Sequence, residues 1–283
     1  MNRIKMRKRI VGLLRSCATG LPRDVEAALK AAYLRERGTG REVLGTILEN
    51  VAAARRLSYP LCQDTGTPIF YVTTPRSYDR LKIGGEITAA VRDATRSIPL
   101  RPNAVDPVTG ENSGDNTGIG FPVVHFQEWD RKKVRIELML KGGGSENVTQ
   151  LYRLPDAGLK AGRDLDGAAR CVLDAVNKAQ WVGCPPYIIG VGLGGLADES
   201  LKLSKRQLMR RLKDKNRDPE LAGLEKKLLK DINTLRIGPM GLGGKTTALA
   251  VKAGKQHRGP ASYFVAVSFM CWACRRGVIE VDA

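Results

Sequence analysis

The chain has 283 residues, 42% of them apolar and 27% charged, which allows a sizeable buried core and excludes a disordered chain. No apolar run approaches the roughly 18–20 residues that span a bilayer, so the sequence excludes a helical membrane protein and predicts no membrane partner. Lys and Arg number 47 against 29 Asp and Glu, a formal net charge of +18, and such a field draws nucleic acid, an acidic protein face or a small dicarboxylate alike. Residues 10–58 read as helical, because Val25, Ala28, Leu29, Ala32 and Leu34, then Leu44, Ile47, Leu48 and Val51, recur at helical spacing. Pro22 and Gly38-Thr39-Gly40 punctuate this region and Pro60 closes it. Residues 69–72 read as a strand, 83–96 as a helix and 101–120 as a polar, glycine-rich loop. Two more strands follow at 123–126 and 134–140, and Gly142-Gly143-Gly144 then breaks the chain. Residues 165–180 read as a helix and 187–189 as a short buried strand. Residues 201–235 form a basic helical region interrupted near Pro219, and 248–253 and 263–269 are late strands. Without repeats or a low-complexity linker, the pattern predicts a mixed α/β (α+β) chain. It would be one domain over 1–283, with N-terminal helices, a mixed sheet and long glycine-rich functional loops.

The six cysteines are Cys17, Cys62, Cys171, Cys184, Cys271 and Cys274. They do not form the compact framework of a disulfide-rich secreted domain. The basic start, residues 1–9, reads as the frayed end of a first amphipathic helix. The apolar run at 10–14 is too short for a signal peptide. The expectation is a cytoplasmic chain with reduced thiols, which can serve as core filler, nucleophiles or soft metal ligands.

Two glycine motifs imitate nucleotide sites. Gly190-Val-Gly192-Leu-Gly194-Gly195 resembles a dinucleotide turn, but the expected acidic residue about 20 positions on is replaced by the basic stretch 202–217. Gly243-Gly244-Lys245-Thr246-Thr247 resembles a phosphate loop, but Pro239 stands where its first glycine belongs. Both still offer backbone N–H groups to an anion. The basic stretch 202–230 lacks interleaved aromatics and matches no nucleic-acid motif. It reads as a solvated or docking face, and no nucleic-acid partner is expected. A basic, cluster-bearing nucleic-acid-binding protein stays as a distant alternative.

The informative residues lie in three loops. Pro60-Leu61-Cys62-Gln63-Asp64-Thr65-Gly66 sets a thiol, an amide and a carboxylate side by side where a helix has ended. Cys184-Pro185-Pro186 sets a second thiol in a rigid turn, and Cys271-Trp272 a third at the end of an apolar strand. Three distant thiols suit a site that the whole fold assembles rather than a tight finger or ferredoxin knot. Together with Lys141-Gly-Gly-Gly144-Ser-Glu-Asn147, the Gly190–Gly195 turn, Ile237-Gly-Pro-Met-Gly-Leu-Gly-Gly244 and Cys271-Trp-Ala-x-Arg-Arg276, these segments stand in one order. In that order the chain resembles the α subunit of class I, iron–sulfur fumarate hydratases and the related tartrate dehydratases, from about residue 10 to 276.

The resemblance implies a [4Fe–4S] cluster on Cys62, Cys184 and Cys271 with one iron open, and leaves Cys17, Cys171 and Cys274 structural. It implies that Gln63 and Asp64 touch the substrate, with Asp64 as the acid/base group; the alternative for Asp64 is an Asx turn capping Thr65-Gly66. Arg101 would pair with a substrate carboxylate, or be an ordinary surface arginine. Gly144 would offer its backbone N–H to the other carboxylate. The family commonly has a histidine where this chain has Gly259; His257 stands two residues early. The implied reaction is reversible hydration of fumarate to malate, with dehydration of tartrate to oxaloacetate as the alternative. The implied partners are a C4 dicarboxylate and a separate β subunit bearing the proton-abstracting group, in an α2β2 or similar hetero-oligomer.

Overall fold

The computed structural model describes residues 3–282; Met1, Asn2 and Ala283, which the expected domain and its basic N-terminal end include, lie outside the described residues. In chain order the elements begin with α1 (Arg3–Thr19), α2 (Arg23–Arg35), α3 (Gly38–Leu57), β1 (Thr67–Pro75) and α4 (Arg80–Ser97). There follow β2 (Val123–Trp129), β3 (Lys133–Lys141), α5 (Gly143–Asn147), β4 (Gln150–Arg153), α6 (Leu165–Ala179) and β5 (Tyr187–Leu193). The chain continues through α7 (Ala197–Gln207), α8 (Pro219–Thr234), a 3-10 turn at Pro239–Gly241, β6 (Ala248–Lys255), β7 (Phe264–Met270) and β8 (Arg275–Asp282). The chain is mixed α/β, and its residues group into two compact units. Unit 1 is Met1–Pro22, Glu49–Gly143 and Arg275–Ala283; unit 2 is Arg23–Leu48 and Gly144–Cys274.

Unit 1 is built on a sheet of order β2-β1-β3-β8. β1 and β2 run parallel, with α4 lying between them in sequence, while β3 is antiparallel to β1 and β8. Phe70, Val72, Ile136, Leu138 and Leu140 from the strands pack with Ile10 and Leu14 of α1 and Ile83, Ile87 and Val91 of α4. Each fully buried side chain of this size contributes about 1.5–3 kcal/mol. Asp79 starts α4 by accepting a hydrogen bond from the Lys82 N–H at 3.1 Å, which satisfies one of the helix's orphan donors.

Unit 2 carries a second sheet, β4-β7-β5-β6. All seven residues of β5 are buried, as a strand covered on both faces requires. Asp164 caps α6 through the Gly167 N–H at 2.6 Å, and Asp218 caps α8, whose first residue is Pro219. The buried faces of α6 and α8 pack with the inner residues of β5, β6 and β7.

The expected elements are found, with differences at the polar ones. The glycine run expected as a break opens the short α5. β4 and β8 were not expected: β4 is four residues long, and β8 begins with two arginines, so neither carries a clear apolar alternation. The basic helical region divides into α7 and α8, and the irregular segment between them is held by charge. Lys252, 3% exposed, donates to an Asp214 carboxylate oxygen at 2.6 Å, and Arg210 donates to the same carboxylate at 2.9 and 3.1 Å. Burial alone would raise the Asp214 carboxyl, but the hydrogen bonds from Arg210 and Lys252 bring it below the usual carboxylate value. Asp214 therefore adds stability above pH 3.8, the ordinary value, and loses it as pH falls through the lowered one. Thermal unfolding will show Asp214→Asn less stable than the native chain at pH 7, with the gap closing progressively at acid pH. A gap that stays constant down to pH 2 would remove this role.

Candidate active site

In unit 1 the chain leaves α3 through Ser58, which has φ +56°. It is then pinned twice: the Leu61 N–H donates to Ala18 O, and Asn50 Nδ2 donates to Leu61 O, each at 2.9 Å. Cys62, the next residue, is half-buried, Gln63 is exposed and Asp64 is half-buried. One Asp64 carboxylate oxygen accepts from the Gly66 N–H at 3.0 Å, which is the Asx turn. The other accepts from the Gly143 N–H at 2.6 Å. The carboxylate thus faces the glycine run that follows β3. Gly66, at φ +87°, lies so close to β3 that a Cβ there would stand 2.8 Å from the Leu140 carbonyl carbon, so only glycine fits.

The same turn gathers Arg101. Thr65 Oγ1 accepts from the Arg101 N–H at 3.1 Å. Asn116, buried at φ +60°, donates to Arg101 O at 3.0 Å and to Thr95 Oγ1 at 3.0 Å, and accepts from the Asn103 N–H at 2.7 Å. Asn116 is therefore the clasp of the loop. The Arg101 side chain is exposed. Its guanidinium makes no hydrogen bond or ion pair among the described residues. Arg275, 1% exposed, donates from Nη1 to Asp64 O at 2.5 Å. Its position in the Cys-Trp-Ala-x-Arg-Arg segment was the available signal, but nothing in the sequence showed which way it points.

In unit 2, β5 and β7 pair antiparallel with Ile188 opposite Met270. That register brings the residues before β5 and after β7 to the same end of the sheet. The Trp272 N–H donates to Cys184 O at 3.1 Å, so the loops of Cys184 and Cys271 adjoin, and both thiols are half-buried. Cys184 sits at φ +58°. Tyr187 fixes its turn: the phenol donates to Gln180 O at 2.7 Å and accepts from the Gly183 N–H at 3.2 Å. Burial, with added repulsion from Cys184 and Cys271, pushes the Tyr187 phenol up. Gly144 has Val182 O 3.3 Å from the place its Cβ would take.

The structure thus brings Cys62, Gln63, Asp64 and Arg101 together in unit 1, and Cys184 with Cys271 in unit 2. Among the described residues no group of three His, Cys, Asp or Glu side chains is gathered into a metal site. The thiols nevertheless divide by exposure: Cys17, Cys171 and Cys274 are buried, whereas Cys62, Cys184 and Cys271 are not fully so. Burial, with the nearby Asp156 and Asp174, pushes the Cys171 thiol up to about 12, which keeps it protonated and unfit as a ligand at neutral pH. His257 is exposed in the loop between β6 and β7, and its carbonyl accepts from the Gly195 N–H at 3.2 Å. A Cβ at Gly259 would meet only Ser262 Oγ, at 3.5 Å, so space does not demand glycine there.

The two imitations of nucleotide motifs have internal explanations. A Cβ on Gly190 or Gly192 would fall 2.1 or 2.2 Å from the Ser204 or Ser200 carbonyl oxygen, so these glycines admit α7 onto β5. In the second motif the Lys245 N–H donates to both carboxylate oxygens of Glu36, at 2.8 and 3.0 Å. Glu36 is 1% exposed and lies against Gly244. The anion in this turn is the chain's own.

Among the described residues no helix is long and apolar enough to cross a membrane. The family model for fumarate hydratase (Fumerase) matches residues 7–280. The chain is 44% identical over 283 residues to the "Putative fumarate hydratase class I" of Geobacillus stearothermophilus, covering 98% of this chain and 55% of that protein. It therefore spans about half the length of that relative. It is 40% identical over 282 residues to the "Putative L(+)-tartrate dehydratase subunit alpha" of Methanocaldococcus jannaschii, with 97% of both chains covered. It is 32% identical over 271 residues to the L(+)-tartrate dehydratase subunit alpha of Escherichia coli strain UTI89, covering 94% of this chain and 87% of that one.

Proposed function

This chain belongs to the fumarate hydratase (Fumerase) family, and from that premise we propose that it is the α-type half of an iron–sulfur hydro-lyase that interconverts fumarate and malate. Cys62, Cys184 and Cys271 would hold a [4Fe–4S] cluster. The donor chemistry fits: thiolates are the soft ligands such clusters take, and these are the three cysteines that the protein does not fully bury. When bound, the cluster would supply an open iron as a Lewis acid toward the substrate's oxygens.

The chain's own residues supply the rest. Arg101, an exposed guanidinium without a partner among the described residues, pairs with a substrate carboxylate in the two-pronged geometry that arginine favours. Gln63 contributes a side-chain amide beside it, and the Gly144 N–H serves the other carboxylate. Asp64 is the acid in the dehydrating direction: its proton goes to the hydroxyl on C2, which departs as water. The proton on C3 passes to a base on a second subunit, and in hydration each proton returns. The relatives named as α subunits support a separate β subunit in a hetero-oligomer such as α2β2. A cytoplasmic setting keeps the thiols reduced.

The observation that carries the reading is the hydrogen bond that ties the Arg101 main chain to Thr65, the residue next to Asp64, in a chain matched by the family over residues 7–280. Tartrate dehydration is the second reading, favoured by the two α-subunit relatives. The test is anaerobic purification with the second subunit, followed by assays of fumarate, malate and tartrate side by side. Fumarate turnover with broad visible absorption is the expected result. Turnover of tartrate alone selects the second reading, and absorption without turnover of any of the three defeats both.

A further inference from the structure

We propose that Arg275 is a positioning residue that holds Asp64 in its working orientation, an inference that rests on reading Asp64 as the acid. Arg275 is among the largest fully buried side chains of the chain. Its guanidinium is a cation, so unit 1 buries a charge. Such burial is costly unless the charge is paired and hydrogen-bonded. Arg275 nevertheless forms no ion pair with a carboxylate among the described residues. Its Nη1 donates to the main-chain carbonyl of Asp64 at 2.5 Å, and its Nε is buried without a partner among the described residues. An apolar residue would serve better if this place in β8, opposite Leu140, only needed filling.

The neighbouring glycine shows where the cation acts. A Cβ on Gly142 would stand 3.1 Å from Asp64 Oδ2 and 3.3 Å from Arg275 Nη2. Both groups therefore come up to one face of that residue, and the missing side chain makes room for them. Asp64 is then fixed at three points: its carbonyl by Arg275, and its two carboxylate oxygens by the Gly66 and Gly143 N–H groups. An acid must sit within a fraction of an ångström of its target, and small misplacement is costly in rate.

The test compares Arg275→Met, Arg275→Lys and Asp64→Asn with the native chain, each purified anaerobically with the second subunit. Arg275→Met will lower kcat by about 100-fold with KM changed less than about threefold, because Arg275 touches Asp64 rather than the substrate. Arg275→Lys, which keeps a donor, will recover part of the loss. Amide hydrogen exchange at Gly66 and Gly143 will quicken in both variants while the central residues of β1 stay protected. Native exchange at those two amides, or kcat within about twofold of native in both variants, overturns the proposal. If Arg275→Met does not fold, the same two measurements on Arg275→Lys decide it. Full turnover by Asp64→Asn would instead remove the acid reading, and the exchange data would still report whether Arg275 holds the turn.

Discussion

Cys62→Ser, Cys184→Ser and Cys271→Ser each strip the anaerobically purified protein of iron–sulfur absorption and reduce its turnover to background. Cys17→Ser, Cys171→Ser and Cys274→Ser keep both. Serine is nearly the size of cysteine but offers a hard, weakly acidic oxygen, which is a poor ligand for iron in such a cluster. The first group changes residues that reach partial exposure. The second changes buried ones, and at Cys171 the thiol's value of about 12 already keeps it from the thiolate form. A hydroxyl is more polar than the thiol it replaces, and burying it in those cores costs about 1–3 kcal/mol. Those variants will therefore melt earlier while staying coloured. Iron content, visible absorption and a melting curve on all six variants separate the groups. A fully coloured Cys184→Ser would show the ligand set to be wrong.

Gly192→Ala will lower the unfolding free energy by about 3 kcal/mol. The new methyl would lie 2.2 Å from Ser200 O and 2.9 Å from the Ser204 nitrogen. Both are helix backbone atoms and cannot swing aside. α7 approaches β5 this closely because small residues line the contact. Ser200 Oγ donates to Gly192 O at 3.0 Å, and the Ser204 and Ser268 hydroxyls meet at 2.7 Å. Gly223 is the control. It lies within α8 with nothing near its Cβ position, so Gly223→Ala should stabilise by about 0.5–1 kcal/mol through helix propensity. Urea unfolding of the two variants measures both. An unchanged midpoint for Gly192→Ala would mean that α7 can move off the sheet.

Apolar patterning made the interior elements legible. β3 and β5 were visible because their Val, Ile and Leu runs are buried, and α6 because Ala168, Val172, Ala175 and Val176 share one face. β8 was invisible because its strand character comes from pairing with β3, a long-range contact that no local window contains. The segment between α7 and α8 looked helical for the same reason. Its charges find partners in Glu225 and Lys252, far along the chain. At the site, the residue types could be read in order along the sequence: thiol, amide, carboxylate, arginine. Their supports could not. Asn116 and Arg275 act through side-chain direction, which depends on the folded backbone and not on neighbouring letters.

The turn that imitates a phosphate loop has a consequence for recognising function by pattern. Such patterns count main-chain donors as vacancies, yet here a glutamate tethered 209 residues earlier in the chain already answers the Lys245 donor. A nucleotide added from solution would compete with a rival delivered at a far higher effective concentration. Trimming that one acidic side chain would free the Lys245 donor for an anion from solution.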